Sequence, residues 1–138
     1  MDAPKIGVAG ILLRSDGAVL LGQRGSDPHR GAWAFPGGKM RFREPLDIAL
    51  VREFYEETGL IVRADHILYG FDFIDTQSHY VILDWAVQYD SGQLKAGSDL
   101  DAVAWVLPGD LRKYRLAPGM KECLADSRVR EFLQWPHH

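Results

Sequence analysis

Cysteine is nearly absent from this chain: Cys123 stands alone among 138 residues. No disulfide can form within the chain, and a reducing cytoplasm is the expected home. Cys123 itself reads as a small buried apolar side chain on a C-terminal helix rather than as a nucleophile. Long apolar runs are missing as well. No stretch approaches the roughly 18 residues of a membrane span, and no charged start with apolar segment and cleavage site suggests export. Positive charge is in deficit, with 16 Lys and Arg against 19 Asp and Glu for a net charge of -3. That balance argues against nonspecific binding to nucleic acid. Neither a repeat nor a low-complexity linker divides the chain, and its apolar content of 46% is enough for a sizeable core. We therefore expect a single domain over residues 1–138, with neither a membrane nor a nucleic acid as partner.

What is present alternates between strand-like and helix-like segments. Lys5 to Leu13 is rich in β-branched and aliphatic residues, Ser15-Asp16-Gly17 forms a turn, and Ala18 to Arg24 alternates back, which reads as a hairpin. Strands are expected at about Ile61 to Ile74 and His79 to Gln88, joined by the polar Asp75-Thr76-Gln77-Ser78, and a shorter one at Val103 to Leu107. Pro108 to Tyr114 and Met120 to Leu133 read as helices. Together these predict an α/β fold with a mixed β-sheet packed between helices, an α/β/α sandwich. No function is read into the terminal His137-His138.

The segment from Gly38 to Leu60 carries the chemistry. A helix is predicted from Pro45 to Thr58, with Asp47 in its first turn and Gly59 as its left-handed stop. Its apolar residues form two flanks, Ile48, Val51 and Tyr55 on one and Leu46, Leu50 and Phe54 on the other, so the helix should be wedged between neighbours. Residues three and four apart share a helix face, which places Glu53, Glu56 and Glu57 within an arc of about 100°. Like charges at this spacing destabilise a helix, and the last two sit near its negative dipole end. A divalent cation reverses that sign, and carboxylates without Cys or His suit Mg²⁺ or Mn²⁺. Ala49, one turn before Glu53, is expected to leave room for ion and substrate. Ahead of the helix, Phe35-Pro36-Gly37-Gly38 reads as a tight turn that lets backbone, and a carbonyl ligand, approach the metal. The rival reading of the cluster is a solvated charged helix face.

The spacing Gly38, Glu44, Arg52-Glu53, Phe54, Glu56-Glu57, Gly59-Leu60 resembles the Nudix box of the Nudix hydrolases, with every charged and glycine position present. Phe54 departs from it, standing where the family usually has an aliphatic residue. Gly31 to Gly37 is similar to the usual lead-in. The resemblance implies a Nudix-type fold and Mg²⁺-dependent hydrolysis of a nucleoside diphosphate linked to another group. It further implies that Glu56 and Glu57 are the main metal ligands and that Glu53 is a further ligand or the base for the attacking water. The Gly37 or Gly38 carbonyl then completes the shell, Arg52 holds the glutamates by ion pairing, and Glu44 supports from outside. A Nudix fold retained as a non-catalytic nucleotide-binding module is the alternative of another class.

Substrate residues are sought outside the box. Arg24 at a strand end can reach the diphosphate or simply point into water, and His29 and Arg30 lie in the loop before the box. Asp99 and Asp101 can bring a loop carboxylate to the metal or serve ordinary turn chemistry. Trp33, Tyr69, Phe71, Phe73 and Tyr80 can stack a base, although the spacing of two from Tyr69 to Phe73 favours one packed strand face. His79 to Asp84 resembles a strand of bacterial Nudix proteins of the ADP-ribose pyrophosphatase type. The expected partner is thus a small nucleotide such as ADP-ribose, with a house-cleaning (d)NTP pyrophosphatase as the alternative. Homodimers are common in the family, and no exposed stripe specifies one here.

Overall fold

A computed structural model describes residues 2–136. Met1, His137 and His138 lie outside the described residues. The elements, in chain order, are β1 (Lys5–Leu12), β2 (Val19–Arg24), β3 (Trp33–Ala34), β4 (Gly37–Lys39), α1 (Leu46–Thr58), β5 (Leu60–Ile74), β6 (His79–Gly92), β7 (Leu100–Val106), a 3₁₀ helix (Pro108–Lys113), α2 (Met120–Ala125) and α3 (Ser127–Leu133).

A four-stranded sheet has the order β4-β1-β6-β5, and a three-stranded sheet the order β3-β2-β7. The first is mixed: β1 runs parallel to β6 from Lys5↔Tyr80 to Leu12↔Val87, and its other pairings are antiparallel. The second is antiparallel throughout. The expected α/β architecture is therefore found, but the hairpin of β1 and β2 is not. The chain turns at Ser15–Gly17, a single bridge joins Leu13 to Val19, and β2 then leaves for the other sheet. The reason lies in β1, whose residues from Gly7 to Leu12 are nearly all buried on both faces. A strand sealed on both faces belongs at the centre of a sheet rather than in an isolated hairpin.

Two apolar clusters flank that centre. Val8, Leu12, Leu20, Val62 and Val87 pack against Ala49, Leu50 and Phe54 of α1. Ala9, Ile11, Val19, Ala86 and Val106 pack with Met120, Cys123, Leu124, Val129 and Leu133 of α2 and α3. Gly10 admits α1 closely, since a Cβ there would lie 2.8 Å from the Phe54 ring. The large Phe54 is thus matched by a missing side chain opposite it.

Three local expectations are corrected. Pro45 is the N-cap, with an extended backbone, and the first helical residue is Leu46. Only one apolar flank of α1 is covered: Leu50 and Phe54 are buried, whereas Ile48 and Tyr55 are 55% and 53% exposed. The segment Met120 to Leu133 is two short helices, because the Asp126 side chain accepts from the Arg128 and Val129 amides at 3.0 and 3.2 Å. That capping starts a new helix where propensity alone suggested continuity.

Candidate active site at the acidic helix

The N-terminal anchor of the site is β4, laid antiparallel on β1 with Val8 opposite Gly38 and Ala9 opposite Gly37. Both glycines are required by close approach. A Cβ on Gly37 would meet the Val8 carbonyl oxygen at 1.9 Å, and one on Gly38 would meet Glu53 Oε2 at 2.0 Å. Glu53 therefore lies directly on the Gly38 backbone. This is the juxtaposition that the turn before the helix leads one to expect.

Arg52 organises the carboxylates. Its Nε and Nη2 donate to Glu44 Oε2 and Oε1 at 2.7 and 2.9 Å, Nη1 donates to Glu53 Oε1 at 2.8 Å, and Nη2 also reaches the Lys39 carbonyl at 3.0 Å. Glu56 is a looser partner at 3.3 Å. A planar guanidinium makes this forked pairing where an ammonium cannot. The pairing holds the Glu44 carboxyl at about 2, helped by the Arg41 amide, and raises Arg52 further above its ordinary value. Arg52 thus ties Glu44 and Glu53 into one ion-paired cluster.

The three glutamates are not equally open. Glu56 is exposed and Glu53 half-buried, but Glu57 retains only 7% exposure and its Oε2 is sealed from solvent with no hydrogen-bond partner. Burial pushes the Glu57 carboxyl up to about 7; the negative charges of Asp99, Glu53 and Glu56 add to the shift, and Arg24 opposes it. Asp99 arrives because its loop is strapped to the end of α1: the Lys95 and Gly97 amides donate to the Thr58 and Glu57 carbonyls, each at 2.8 Å. Arg24 and Asp99 thus both act electrostatically on Glu57, whereas Asp101 turns toward Gly25. Ala49 is fully buried in the core beneath α1 and leaves no room for ion or substrate, a correction that follows from its place on the Leu50 side of the helix.

These acids fit a hard cation. The donor set is all oxygen, and a sealed, unpartnered carboxylate oxygen costs several kcal/mol unless a positive partner serves it. Among the described residues no three acids already converge into a cage, since Arg52 draws Glu53 and Glu56 to itself. Glu57, Glu56, Glu53 and the Gly38 carbonyl are the groups available to hold the ion.

Beyond the box, two adjoining clefts of about 310 and 250 Å³ share Pro118, Gly119 and Glu122. The first is also lined by His29, Ala32 and Arg115, the second by Tyr69, Phe71 and Phe73. His29 meets Phe73 edge-on at 5.7 Å between ring centres. Neither cleft includes a box glutamate. The link is the loop after β2, which carries His29 and whose Pro28 carbonyl accepts from Arg24 Nε at 2.8 Å. Half-buried Tyr69, Phe71 and Phe73 share one strand face as expected; Tyr69 packs against the core, and the face also lines a cleft. Trp33 instead packs edge-on against Tyr114 at 5.0 Å, and Tyr80 lies by Lys39. The sequence reading missed the Pro118–Gly119 edge of the clefts, where a Cβ on Gly119 would strike the Phe71 ring; the Pro-Gly pair before a helix was the available signal. It also passed over Asp84, the one charge in the otherwise uncharged run from Tyr80 to Gln88.

Comparison with known proteins agrees with this geometry. The family model of the NUDIX domain matches residues 3–127. An ADP-ribose pyrophosphatase of Methanocaldococcus jannaschii is 36% identical over 98 residues, which is 70% of this chain but 57% of that relative's length. A CTP pyrophosphohydrolase of Escherichia coli is 31% identical over 114 residues, covering 82% of this chain and 84% of the relative. Among solved structures, the MutT NUDIX hydrolase of Burkholderia pseudomallei superposes with a TM-score of 0.81 at 28% identity, over 91% of this chain and 99% of that one.

Proposed function

The chain belongs to the Nudix domain family, and from that premise we propose that it is a Mg²⁺-dependent hydrolase of a nucleoside diphosphate linked to another group, with a nucleotide sugar such as ADP-ribose as substrate. The observation that carries the reaction class is the sealed, unpartnered Glu57 oxygen beside Glu53, with Gly38 backbone pressed against Glu53. Such a site lacks the positive partner that a divalent cation would supply.

Mg²⁺, when bound, neutralises diphosphate charge and acidifies water at the site. Glu56 and Glu57 would hold it, and the Gly38 carbonyl would be a further oxygen ligand. Glu53, fixed through Oε1 by Arg52, keeps Oε2 over Gly38 to accept the proton of the attacking water. The water oxygen bonds to phosphorus, the anhydride P–O bond breaks, and the departing phosphate keeps that bond's electron pair. Arg24 offers a positive charge to the diphosphate, and Asp99 supplies a loop carboxylate. Positioning and charge neutralisation carry most of phosphoryl-transfer catalysis, and no covalent nucleophile is called for.

ADP-ribose is supported by the similarity to the archaeal pyrophosphatase and by an aromatic cleft that offers flat faces to a base. A second reading, pyrophosphate release from (d)NTPs, is favoured by the CTP pyrophosphohydrolase, which this chain matches over more of both lengths. Product analysis separates them. With Mg²⁺ and ADP-ribose, AMP and ribose 5-phosphate are expected, and their formation should vanish in Glu56→Gln. Pyrophosphate from nucleoside triphosphates alone moves the assignment to the second reading. Binding without turnover on either class would sink both.

A further inference from the structure

The larger cleft carries charge that the hydrolysis described above leaves unused. Arg115 and Lys121 both line it, with Glu122 as its one acid. Among the described residues neither cation forms an ion pair with an acid. The chain has 19 Asp and Glu against 16 Lys and Arg, so two unpaired cations in one concavity do not reflect a shortage of partners. Arg115 is also held in place. The Trp33 amide donates to its carbonyl at 2.8 Å and the Ala117 amide to the Trp33 carbonyl at 2.9 Å, so residues 115–117 run parallel beside β3. At the other end of the side chain, Nη2 donates to the Arg30 carbonyl. A guanidinium anchored at one nitrogen keeps its other donors for an oxyanion, and here those donors have no protein partner among the described residues.

The cleft adjoins both halves of a nucleotide site. On one side it is walled by His29 and Ala32, which close the loop after β2. The Pro28 carbonyl of that loop accepts from Arg24, the cation that acts on Glu57. On the other side it shares Pro118, Gly119 and Glu122 with the aromatic cleft of Tyr69, Phe71 and Phe73. In a nucleoside diphosphate the ribose is the piece joined to both base and diphosphate. A base on the aromatic faces and a diphosphate at the glutamates therefore bring the ribose to the cleft that carries Arg115 and Lys121. A plain ribose is neutral and leaves both cations unpaired, whereas a phosphate on its 2′ or 3′ oxygen serves both. Glu122 at the shared edge suits the hydroxyl that remains, because a carboxylate accepts from a ribose hydroxyl and an arginine accommodates a ribose phosphate.

We propose that the cleft of about 310 Å³ is a subsite for a phosphate monoester on the nucleotide's ribose, bound by Arg115 and Lys121, so that nucleoside diphosphate derivatives phosphorylated on that ribose are preferred to their plain counterparts. This deepens the nucleotide reading above and rests on it.

The test is calorimetric titration of the full chain, with Mg²⁺ present, by AMP, adenosine 2′,5′-bisphosphate and adenosine 3′,5′-bisphosphate. One bisphosphate is expected to bind at least about tenfold more tightly than AMP, the size of effect that hydrogen bonds to a charged group produce. Which of the two it is identifies the oxygen that carries the phosphate. In Arg115→Ala and in Lys121→Ala the ratio of bisphosphate to AMP affinity should fall toward one. The ratio is taken within each protein, so a general loss of folding does not mimic the effect, and Lys121→Ala leaves the contact between Arg115 and the Arg30 carbonyl alone. Added salt should shrink the preference in the wild type. Bisphosphates that bind no better than AMP, no binding of any of the three, or a preference that survives both substitutions would overturn the subsite. Turnover of ADP-ribose and of its 2′-phosphate keeps the two readings apart. A bisphosphate preference without turnover of either removes the enzymatic reading and leaves the subsite standing; turnover without that preference does the reverse.

Discussion

Arg52 and Glu44 face each other across the start and middle of α1 in a two-pronged pair, Nε to Oε2 at 2.7 Å and Nη2 to Oε1 at 2.9 Å. The pair fixes the guanidinium plane, and the remaining nitrogen, Nη1, is thereby aimed at Glu53. Glu44 consequently influences a residue it does not touch.

Arg52→Lys keeps the charge and loses the fork. Supporting residues around metal sites change affinity or activity by roughly 10–100-fold, and a loss of that size in kcat/KM is expected with little change in thermal midpoint. Steady-state kinetics and a melting curve on the same preparation check both halves. A fall in melting temperature that accounts for the activity loss would make Arg52 merely structural.

Glu57→Gln removes a buried anion at nearly constant shape. Turnover should drop by at least about 10²-fold, while the metal-free variant melts no lower than the wild type, because the sealed oxygen has no partner to lose. Mg²⁺ should raise the melting temperature of the wild type and barely move the variant. Titration of Mg²⁺ by differential scanning calorimetry reads this directly.

Gly37 and Gly38 are adjacent and should fail differently. A methyl at Gly38 collides with a movable Glu53 side chain, so Gly38→Ala should fold and lose about 10²-fold in kcat, the effect of displacing a reacting group by about 1 Å. At Gly37 the collision is with Val8 backbone, and Gly37→Ala should cost about 1–3 kcal/mol of stability. Urea unfolding and single-turnover rates for the pair separate site from scaffold.

The Asp84 carboxyl, raised by burial to about 7 from an ordinary 3.8, makes stability fall with rising pH. Its contribution is complete below about 4 and is lost as pH rises through about 7, because the folded state holds the proton that the unfolded chain has released. Cys123 and Tyr69, which face it, are themselves pushed up, burial being the largest cause for each, and stay neutral over this window. Relative to Asp84→Asn, the metal-free wild type should lose urea stability between pH 5 and pH 8. A parallel pH dependence of the two proteins would contradict it.

The acidic face of α1 was legible in the sequence because a helix has one period and Glu53, Glu56 and Glu57 obey it. Gly59 was legible as a stop, with φ of 75° and its amide on the Tyr55 carbonyl. The split of β1 and β2 into different sheets was not, since a turn between two apolar runs is the same signal whether the runs pair with each other or with distant strands. The break at Asp126 was hidden because helical periodicity continues across it, and only the side-chain cap reveals it. Likewise, the spacing of Tyr69, Phe71 and Phe73 places them on one face without saying that the face lines a cleft. Burial of Ala49 and exposure of Ile48 depend on which neighbours α1 meets, and besides the adjacent β5 those are contributed by β1, β2 and β6, remote in the chain.

The loop of residues 93–99 is strapped along its middle to the end of α1: the Lys95 and Gly97 amides donate to the Thr58 and Glu57 carbonyls, and a Cβ on Gly97 would strike the Glu56 carbonyl oxygen at 2.1 Å, while the Asp99 carbonyl accepts from the Gly25 amide. Its length is therefore fixed by a helix rather than by a strand pair, and an insertion there would carry Asp99 away from the glutamates while sparing the sheets. Residues added to the loop after β2 or to the tip joining β5 to β6 would by contrast leave the carboxylate spacing intact.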